Sequence, residues 1–277
     1  MKLRTVPARE GVRWVREGFR VFAKRPLAFA ALFATFVFAV FVLLLLPFIG
    51  AIVVLVLLPL FSLGFMIATR IALDGGAPNA RVFVDPLRGD PARRNALLQL
   101  GIVYAAAAFL VMWLADSVDG GALESLMESM PAGQAAPDAM AARLAAPGFG
   151  LGMLVRFGLA GLLAVPLWHA PALVHWDGHG CAKSLFASTL ACWRNRGAFT
   201  LYSLAWLGLI VACSLASGLL FALLGQPQLM MVAAVPLSLL FTTVFYISLY
   251  FTFADCFAAA DGDTADGALL TRTENTP

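Results

Sequence analysis

Two long stretches without a charged residue constrain this chain more than any other feature of its sequence. No Asp, Glu, Lys or Arg occurs from residue 26 to residue 69, or from residue 197 to residue 254. Because hydrocarbon excludes ions, uncharged apolar runs longer than about 18 residues are typical of membrane-spanning helices. Only 13% of the residues are charged, about half the share found in soluble domains. The sequence therefore predicts a polytopic (multi-pass) membrane protein.

The lengths of the apolar stretches give the number of crossings. One helical crossing takes about 20 residues, so each uncharged stretch holds two crossings, and two further apolar segments lie between them. We predict an all-α membrane bundle of six helices near residues 27–46, 48–72, 97–115, 150–174, 199–224 and 229–255. These helices form three hairpins in a single transmembrane domain, residues 1–257. The polar tail 258–277 is expected to be disordered and cytoplasmic.

Basic residues are distributed unequally among the segments outside the predicted helices. Of the 19 in the chain, segment 1–26 carries eight, 69–96 five and 175–198 three, whereas the connection 116–149 carries one. Lys and Arg are retained on the cytoplasmic side of bacterial inner membranes. We therefore expect both termini and the two basic connections in the cytoplasm, and the loop 116–149 outside.

Each basic segment ends in a cationic cluster directly before a hairpin. As a helix, residues 9–24 place Val12, Val15, Phe19 and Phe22 on one face and the cations opposite, and residues 181–196 are also amphipathic. Such helices lie in the headgroup layer, with their arginines near anionic lipid. Their commoner role is to orient and anchor the hairpins, and the alternative is specific recognition of an anionic lipid or a partner. The residues expected to contact anionic headgroups are Arg13, Arg16, Arg20, Lys24, Arg25, Arg93, Arg94, Arg194 and Arg196. Nothing indicates nucleic acid as a partner, because the positive charge lies in these clusters rather than in a soluble basic domain.

Three ionisable residues fall inside the predicted helices and are candidates for a polar site within the membrane: Arg156, His169 and Asp255. Ionisable groups are costly in hydrocarbon and often mark transport pathways. Structural roles are the alternative, since Arg156 can reach the outer interface, Asp255 can lie among headgroups and His169 can be neutral.

A second group of polar residues alternates along the fourth connection: His175, Asp177, His179 and Cys181. On a strand these four side chains would share one side, and their chemistry suits zinc. However, Gly178 and Gly180 predict a turn here, so the four residues are weak candidates, and we predict neither a metal site nor a cofactor. No catalytic motif occurs in the chain, so we expect that the protein is not an enzyme.

Three segments resemble a family of beta-proteobacterial multi-span inner-membrane proteins. The resembling sequences are PAREGVRWVREGFRVFAKRP (7–26), RRNALLQLGIVY (93–104) and APALVHWDGHGCAKSLFASTLACWRNRGAF (170–199). The resemblance implies a bacterial inner membrane and about six helices, and it brings no activity or site residue with it.

Three functional hypotheses remain from the sequence. The first is a non-enzymatic membrane component that binds lipid or protein partners through the cationic segments. The alternative is a transporter of small molecules or ions that uses the polar residues inside the helices. A metal-dependent membrane enzyme is the third.

Overall fold

The computed structural model describes residues 1–47, 49–121, 123, 147–226 and 228–258, so most of the predicted outer loop and residues 259–277 of the tail lie outside it. Ten α-helices and two short strands make up its regular structure, apart from a 3₁₀ turn at Ala80–Phe83. In chain order they are β1 (Lys2–Leu3), α1 (Glu10–Lys24), α2 (Pro26–Leu44), α3 (Ile49–Leu73), α4 (Asp85–Arg88), α5 (Pro91–Asp119), α6 (Pro147–Leu167), α7 (Ala170–Asp177), α8 (Cys181–Arg194), α9 (Arg196–Leu223), α10 (Leu229–Cys256) and β2 (Phe257–Ala258).

The predicted fold class is confirmed: the protein is a helical membrane bundle. Within the described residues, six helical segments are long and apolar enough to cross a membrane: Pro26–Leu44, Ile49–Leu73, Pro91–Asp119, Gly148–Asp177, Arg196–Leu223 and Val232–Cys256. The third begins earlier than the predicted residue 97. Its start is fixed by the Asp90 side chain, which accepts a hydrogen bond from the Ala92 N–H at 3.0 Å, with Pro91 in the first turn.

The fourth membrane segment is not the single continuous helix that the sequence predicted. It breaks at residues 168 and 169, between α6 and α7. The hydroxyl of Ser188 lies in the break: it accepts from the His169 N–H at 3.0 Å and donates to the Val165 carbonyl at 3.0 Å. In an unbroken helix these two backbone groups would bond to each other. The serine from α8 therefore satisfies both groups and stabilises the kink.

Helix α1 packs against the protein rather than lying free in the headgroup layer. Trp14 is completely buried between α9 and α10, with its ring near Phe199 and Tyr202. A side chain at Gly11 would collide with the α9 backbone, since its Cβ would lie 2.1 Å from the Ala198 carbonyl oxygen. The helix is thus held at close range to the last hairpin.

The apolar face predicted for α1 was partly wrong. Val15 is buried and Phe19 and Phe22 are half-buried, but Val12 is 51% exposed, and the buried stripe runs through Gly11, Trp14 and Gly18 instead. The stripe is displaced because α1 fits into the cleft between two helices, where glycine allows close approach and tryptophan fills the space.

The N-terminal segment is also tied to the end of α10 and to Asn195. Strand β1 pairs antiparallel with β2, matching Leu3 with Phe257. The buried Asn195 side chain accepts a hydrogen bond from the Val6 N–H at 2.8 Å and donates to the Arg4 carbonyl at 3.0 Å. These contacts join the first and last segments of the described chain.

Candidate functional site at the cationic end of the bundle

The segments rich in basic residues meet at one end of the bundle, which we call the cationic end. The Arg25 guanidinium donates to the Gly75 carbonyl at 2.7 Å, and Arg93 donates to the His175 carbonyl at 3.1 Å. With the pairing of β1 and β2, these bonds bring together the N-terminal segment, the connections after α3 and α7, and the end of α10. The sequence predicted that these segments share one side, and the contacts agree with that prediction.

Five of the nine predicted lipid-contact residues have partners within the protein. Arg20 pairs with Glu17 at 2.6 Å, and the Arg196 guanidinium lies over the Trp193 ring, 5.7 Å from its centroid. Arg25 and Arg93 bond to the carbonyls named above, and Arg13 pairs with Asp255 at 2.5 Å and also with Glu10. The charges of these residues are therefore partly used to hold the fold.

The other four predicted lipid-contact residues are Arg16, Lys24, Arg94 and Arg194, and all are exposed. None has an ion pair or a hydrogen bond from its side chain to any residue that the structure describes. They lie on α1, α5 and α8, three helices of the basic segments that meet at the cationic end. Unpaired guanidinium and ammonium groups in such an arrangement attract anions.

Asp255 acts as an anchor for α1. Its carboxylate accepts hydrogen bonds from Arg13 at 2.5 Å and from the Trp14 indole N–H at 2.6 Å. Partial burial opposes the charge of Arg13, but the hydrogen bond and the charge of Asp255, together with Glu10, raise the pKa of Arg13. The predicted polar site at Asp255 is thus occupied by the protein's own first helix.

Helix α8 presents large apolar rings to its surroundings. Phe186 is 70% exposed and Trp193 69% exposed, whereas the small residues Ser184, Ser188 and Ala191 are buried against the bundle. Exposed rings beside arginines are typical of helices in the membrane interface. This arrangement agrees with the interfacial position predicted for residues 181–196.

The four weak metal candidates lie around the end of α7 but do not form a ligand cluster. Gly178 has φ of 66° and ends the helix, while His179 Nε2 contacts the Asp177 carboxylate at 2.9 Å. Burial lowers the pKa of His179, and the opposing charge of Asp177 does not reverse the effect. Among the described residues no group of three or more His, Cys, Asp or Glu side chains is placed to hold a metal ion.

His169 is completely buried at the kink between α6 and α7. Its Nε2 lies 3.2 Å from the Thr252 hydroxyl oxygen, which also accepts from the Trp168 indole N–H at 3.2 Å. Because the Thr252 hydroxyl donates to the Leu249 carbonyl, Nε2 carries the proton in this bond. The other ring nitrogen, Nδ1, has no partner in the described structure. The network joins the kink to α10.

Arg156 lies on the opposite side of the molecule from the cationic end, in a charge cluster of its own. Its guanidinium pairs with Asp116 at 2.6 Å and with Asp119 at 3.1 Å, and the Asp119 side chain is fully buried. Burial of Asp119 depends on Gly152, since a Cβ there would lie 2.5 Å from the Asp119 Cβ. These contacts fasten α5 to α6.

The structure does not bring the three predicted intramembrane residues together. Arg156 and His169 are 13 residues apart along one membrane segment, about 20 Å at the rise of an α-helix. Four surface cavities with volumes from about 280 to about 730 Å³ are lined mainly by apolar side chains, and Arg156, His169 and Asp255 line none of them. Each residue instead contacts partners inside the bundle.

Sequence reasoning missed the residues that hold these sites in place. Ser188 and Thr252 looked like ordinary polar residues in apolar helices, and Trp14 was not placed on the buried face. Asn195 lies between two predicted lipid-contact residues, Arg194 and Arg196, yet it is 2% exposed while both arginines are exposed. The available sequence signal for this role was the position of Asn195 at the junction of two predicted helices, because an asparagine buried at such a junction must bond to backbone groups.

Comparison with other proteins agrees with the predicted location of this chain in the inner membrane. The chain is 34% identical over 262 residues to a protein of Burkholderia thailandensis described as a probable inner membrane protein, which covers 94% of this chain and 96% of the relative. The chain belongs to this family of inner-membrane proteins. The resemblance described from the sequence is thereby confirmed, and so is a multi-pass position in the inner membrane for this family member. No protein-family model and no solved structure matches the chain.

Proposed function

We propose that this protein is a non-enzymatic inner-membrane component that binds anionic lipid headgroups at its cationic end, with that end and both termini in the cytoplasm. The observation that carries the proposal is the set of four exposed cations, Arg16, Lys24, Arg94 and Arg194, without a partner in the described structure. The cytoplasmic leaflet is rich in anionic lipid, and each Lys or Arg near it contributes about 1 kcal/mol. The orientation follows from the retention of basic segments in the cytoplasm.

Neither of the other two hypotheses has comparable support. A transport pathway through Arg156, His169 and Asp255 would need these groups along one polar cavity, whereas each has partners elsewhere in the bundle. A metal-dependent enzyme would need a ligand cluster, and the described residues offer none. The proposal of lipid binding instead uses four exposed cations that have no partner among the residues that the structure describes.

The test is a titration of the purified protein with phosphatidylglycerol or phosphatidylcholine, followed by native mass spectrometry. Replacing Arg16, Lys24, Arg94 and Arg194 by Gln is expected to weaken phosphatidylglycerol binding about fivefold per residue, with phosphatidylcholine binding unchanged. The matched control replaces Arg20 and Glu17 by Gln, which removes one cation together with its carboxylate. Equal affinity of the fourfold variant and the wild type for phosphatidylglycerol would contradict the proposal, as would a change in the mass of the bound lipid, which would indicate enzymatic turnover.

A further inference from the structure

A groove separates α6 from α9 on the lipid-facing surface of the bundle. The two helices make few contacts with each other, and a cavity of about 520 Å³ lies between them. Gly161 lines this cavity, and a Cβ built on it meets nothing within 4 Å. The groove is therefore open at the surface that the bilayer covers.

Most of the groove wall is apolar. Gly161, Ala164 and Val165 line the side formed by α6, and Phe199 and Leu204 line the side formed by α9. From Arg196 to Leu204 the groove follows nine residues of α9, a rise of about 12 Å. These dimensions and this chemistry suit one acyl chain.

The end of the groove nearest the connection between α8 and α9 is polar and cationic. Arg196 lines it and lies over the ring of Trp193, and the neighbouring Arg194 is exposed. Neither arginine pairs with a carboxylate of the described chain. Thr200 and Ser203 also line the groove, and their hydroxyls have no hydrogen-bond partner in the part of the chain that the structure describes.

The groove thus presents groups in the order in which a phospholipid needs them. Guanidinium groups bind phosphate through charge-assisted hydrogen bonds. One helical turn further into the groove, the Thr200 hydroxyl can donate to an ester carbonyl, and beyond it the walls are apolar apart from Ser203. An apolar helix from another protein would match the walls but would leave both arginines without an anion.

We propose that the α6–α9 groove is a binding site for an anionic phospholipid, with the phosphate at Arg194 and Arg196 and one acyl chain along Gly161 and Leu204. This site rests on the proposed function and makes it specific, because it turns a general attraction for anionic lipid into one defined position. Charge complementarity at the mouth, together with the apolar walls, identifies the occupant.

The experiment is a titration of the full-length protein with phosphatidylglycerol, resolved by native mass spectrometry into successive binding steps. Gly161→Leu extends a side chain into the groove from a position where a Cβ has no atom within 4 Å, and it places a better helix former in α6. We expect it to weaken the tightest phosphatidylglycerol step at least tenfold. Gly158→Leu is the matched control, because Gly158 also faces open space one turn away and does not line the groove.

A second variant tests the headgroup separately from the acyl chain. Arg196→Gln is expected to weaken the tightest step about fivefold for phosphatidylglycerol and to leave phosphatidylcholine unaffected. Wild-type affinity for phosphatidylglycerol in Gly161→Leu would overturn the site. Loss of self-association in that variant relative to wild type, with lipid binding unchanged, would also overturn it, in favour of contact with a second copy of the chain.

The lipid preferences of the wild type and the variants separate an error in the groove assignment from an error in the proposed function. If the wild-type protein binds phosphatidylglycerol and phosphatidylcholine equally, the proposed function fails. If the preference for phosphatidylglycerol persists in both groove variants and is lost only in the fourfold variant described above, the cationic end binds lipid elsewhere and only the groove assignment fails.

Discussion

Replacing Arg156 by Leu is expected to destabilise the bundle through the carboxylates that it leaves behind. Arg156 is 16% exposed, and its guanidinium uses two different nitrogens to pair with Asp119, which is 0% exposed, and Asp116, which is 42% exposed. Removing one member of a buried ion pair costs roughly 3–5 kcal/mol, whereas an exposed pair contributes about 1 kcal/mol or less. Because Arg156 keeps some contact with solvent, we expect a loss near the lower limit, about 3 kcal/mol, mostly through Asp119.

Variants of Asp116 and Asp119 show how much of the lost unfolding free energy belongs to each ion pair. Asp116→Asn should cost about 1 kcal/mol or less, since its side chain is exposed. Asp119→Asn keeps an oxygen that can accept from the Gly121 N–H, now 3.0 Å from the carboxylate. With Arg156 already replaced by Leu, Asp119→Asn should recover at least about 2 kcal/mol, because it removes the uncompensated charge.

The assay is reversible unfolding in mixed micelles with an increasing fraction of dodecyl sulfate, monitored by circular dichroism. The free energies of unfolding of wild type, Arg156→Leu, Asp119→Asn and the variant with both changes form a double-mutant cycle. A coupling energy near zero between positions 156 and 119, or a loss below about 1 kcal/mol in Arg156→Leu, would refute the reasoning that this cluster fastens α5 to α6.

Three further predictions concern the cationic end. Gly11→Ala should lower the free energy of unfolding by about 1–3 kcal/mol, because its Cβ has no room against the α9 backbone, while Gly89→Ala, which meets nothing within 4 Å, should be neutral in the same assay. Asn195→Ala should cost about 1–3 kcal/mol by leaving backbone groups of the N-terminal segment unsatisfied, and a stability equal to wild type would exclude that role. Burial raises the pKa of Cys192 to about 12, so at pH 8 it should remain a thiol and react with maleimide far more slowly than Cys181 in single-cysteine variants, which labelling followed by mass spectrometry would measure.

The six crossings could be predicted from the sequence because exclusion of ions from hydrocarbon acts on each segment independently. The third helix, however, was predicted to end at residue 115, so Asp116 and Asp119 were assigned to the outer loop. Their pairing with Arg156 could not then be predicted, although a lone arginine inside an apolar segment indicates that a carboxylate lies nearby.

The kink and the position of α1 depend on contacts between distant segments, which local patterns do not contain. Pro166 and Pro171 flank the break, but the oxygen that satisfies the freed backbone groups comes from Ser188 on another helix. For α1, helical periodicity indicated an apolar face without telling whether lipid or protein covers it. Gly11 and Gly18, two turns apart on one face, were the available signal of a close helix contact.

The candidate lipid-contact residues could also be predicted only in part. The arginines could be selected from the sequence because their clusters precede each hairpin. Which of them remain unpaired could not, since Arg13 and Arg16 lie on the same helix, and only the fold places Asp255 beside Arg13.

Accessibility of introduced cysteines to a membrane-impermeant maleimide measures whether the cationic end faces the cytoplasm. In a background without native cysteines, Gly89→Cys lies in the connection after α4 and Gly133→Cys lies in the loop 116–149. If the cationic end is cytoplasmic, intact spheroplasts will label the cysteine at position 133, and the one at position 89 will react only after lysis. Labelling of position 89 in intact spheroplasts, with position 133 protected, would contradict it.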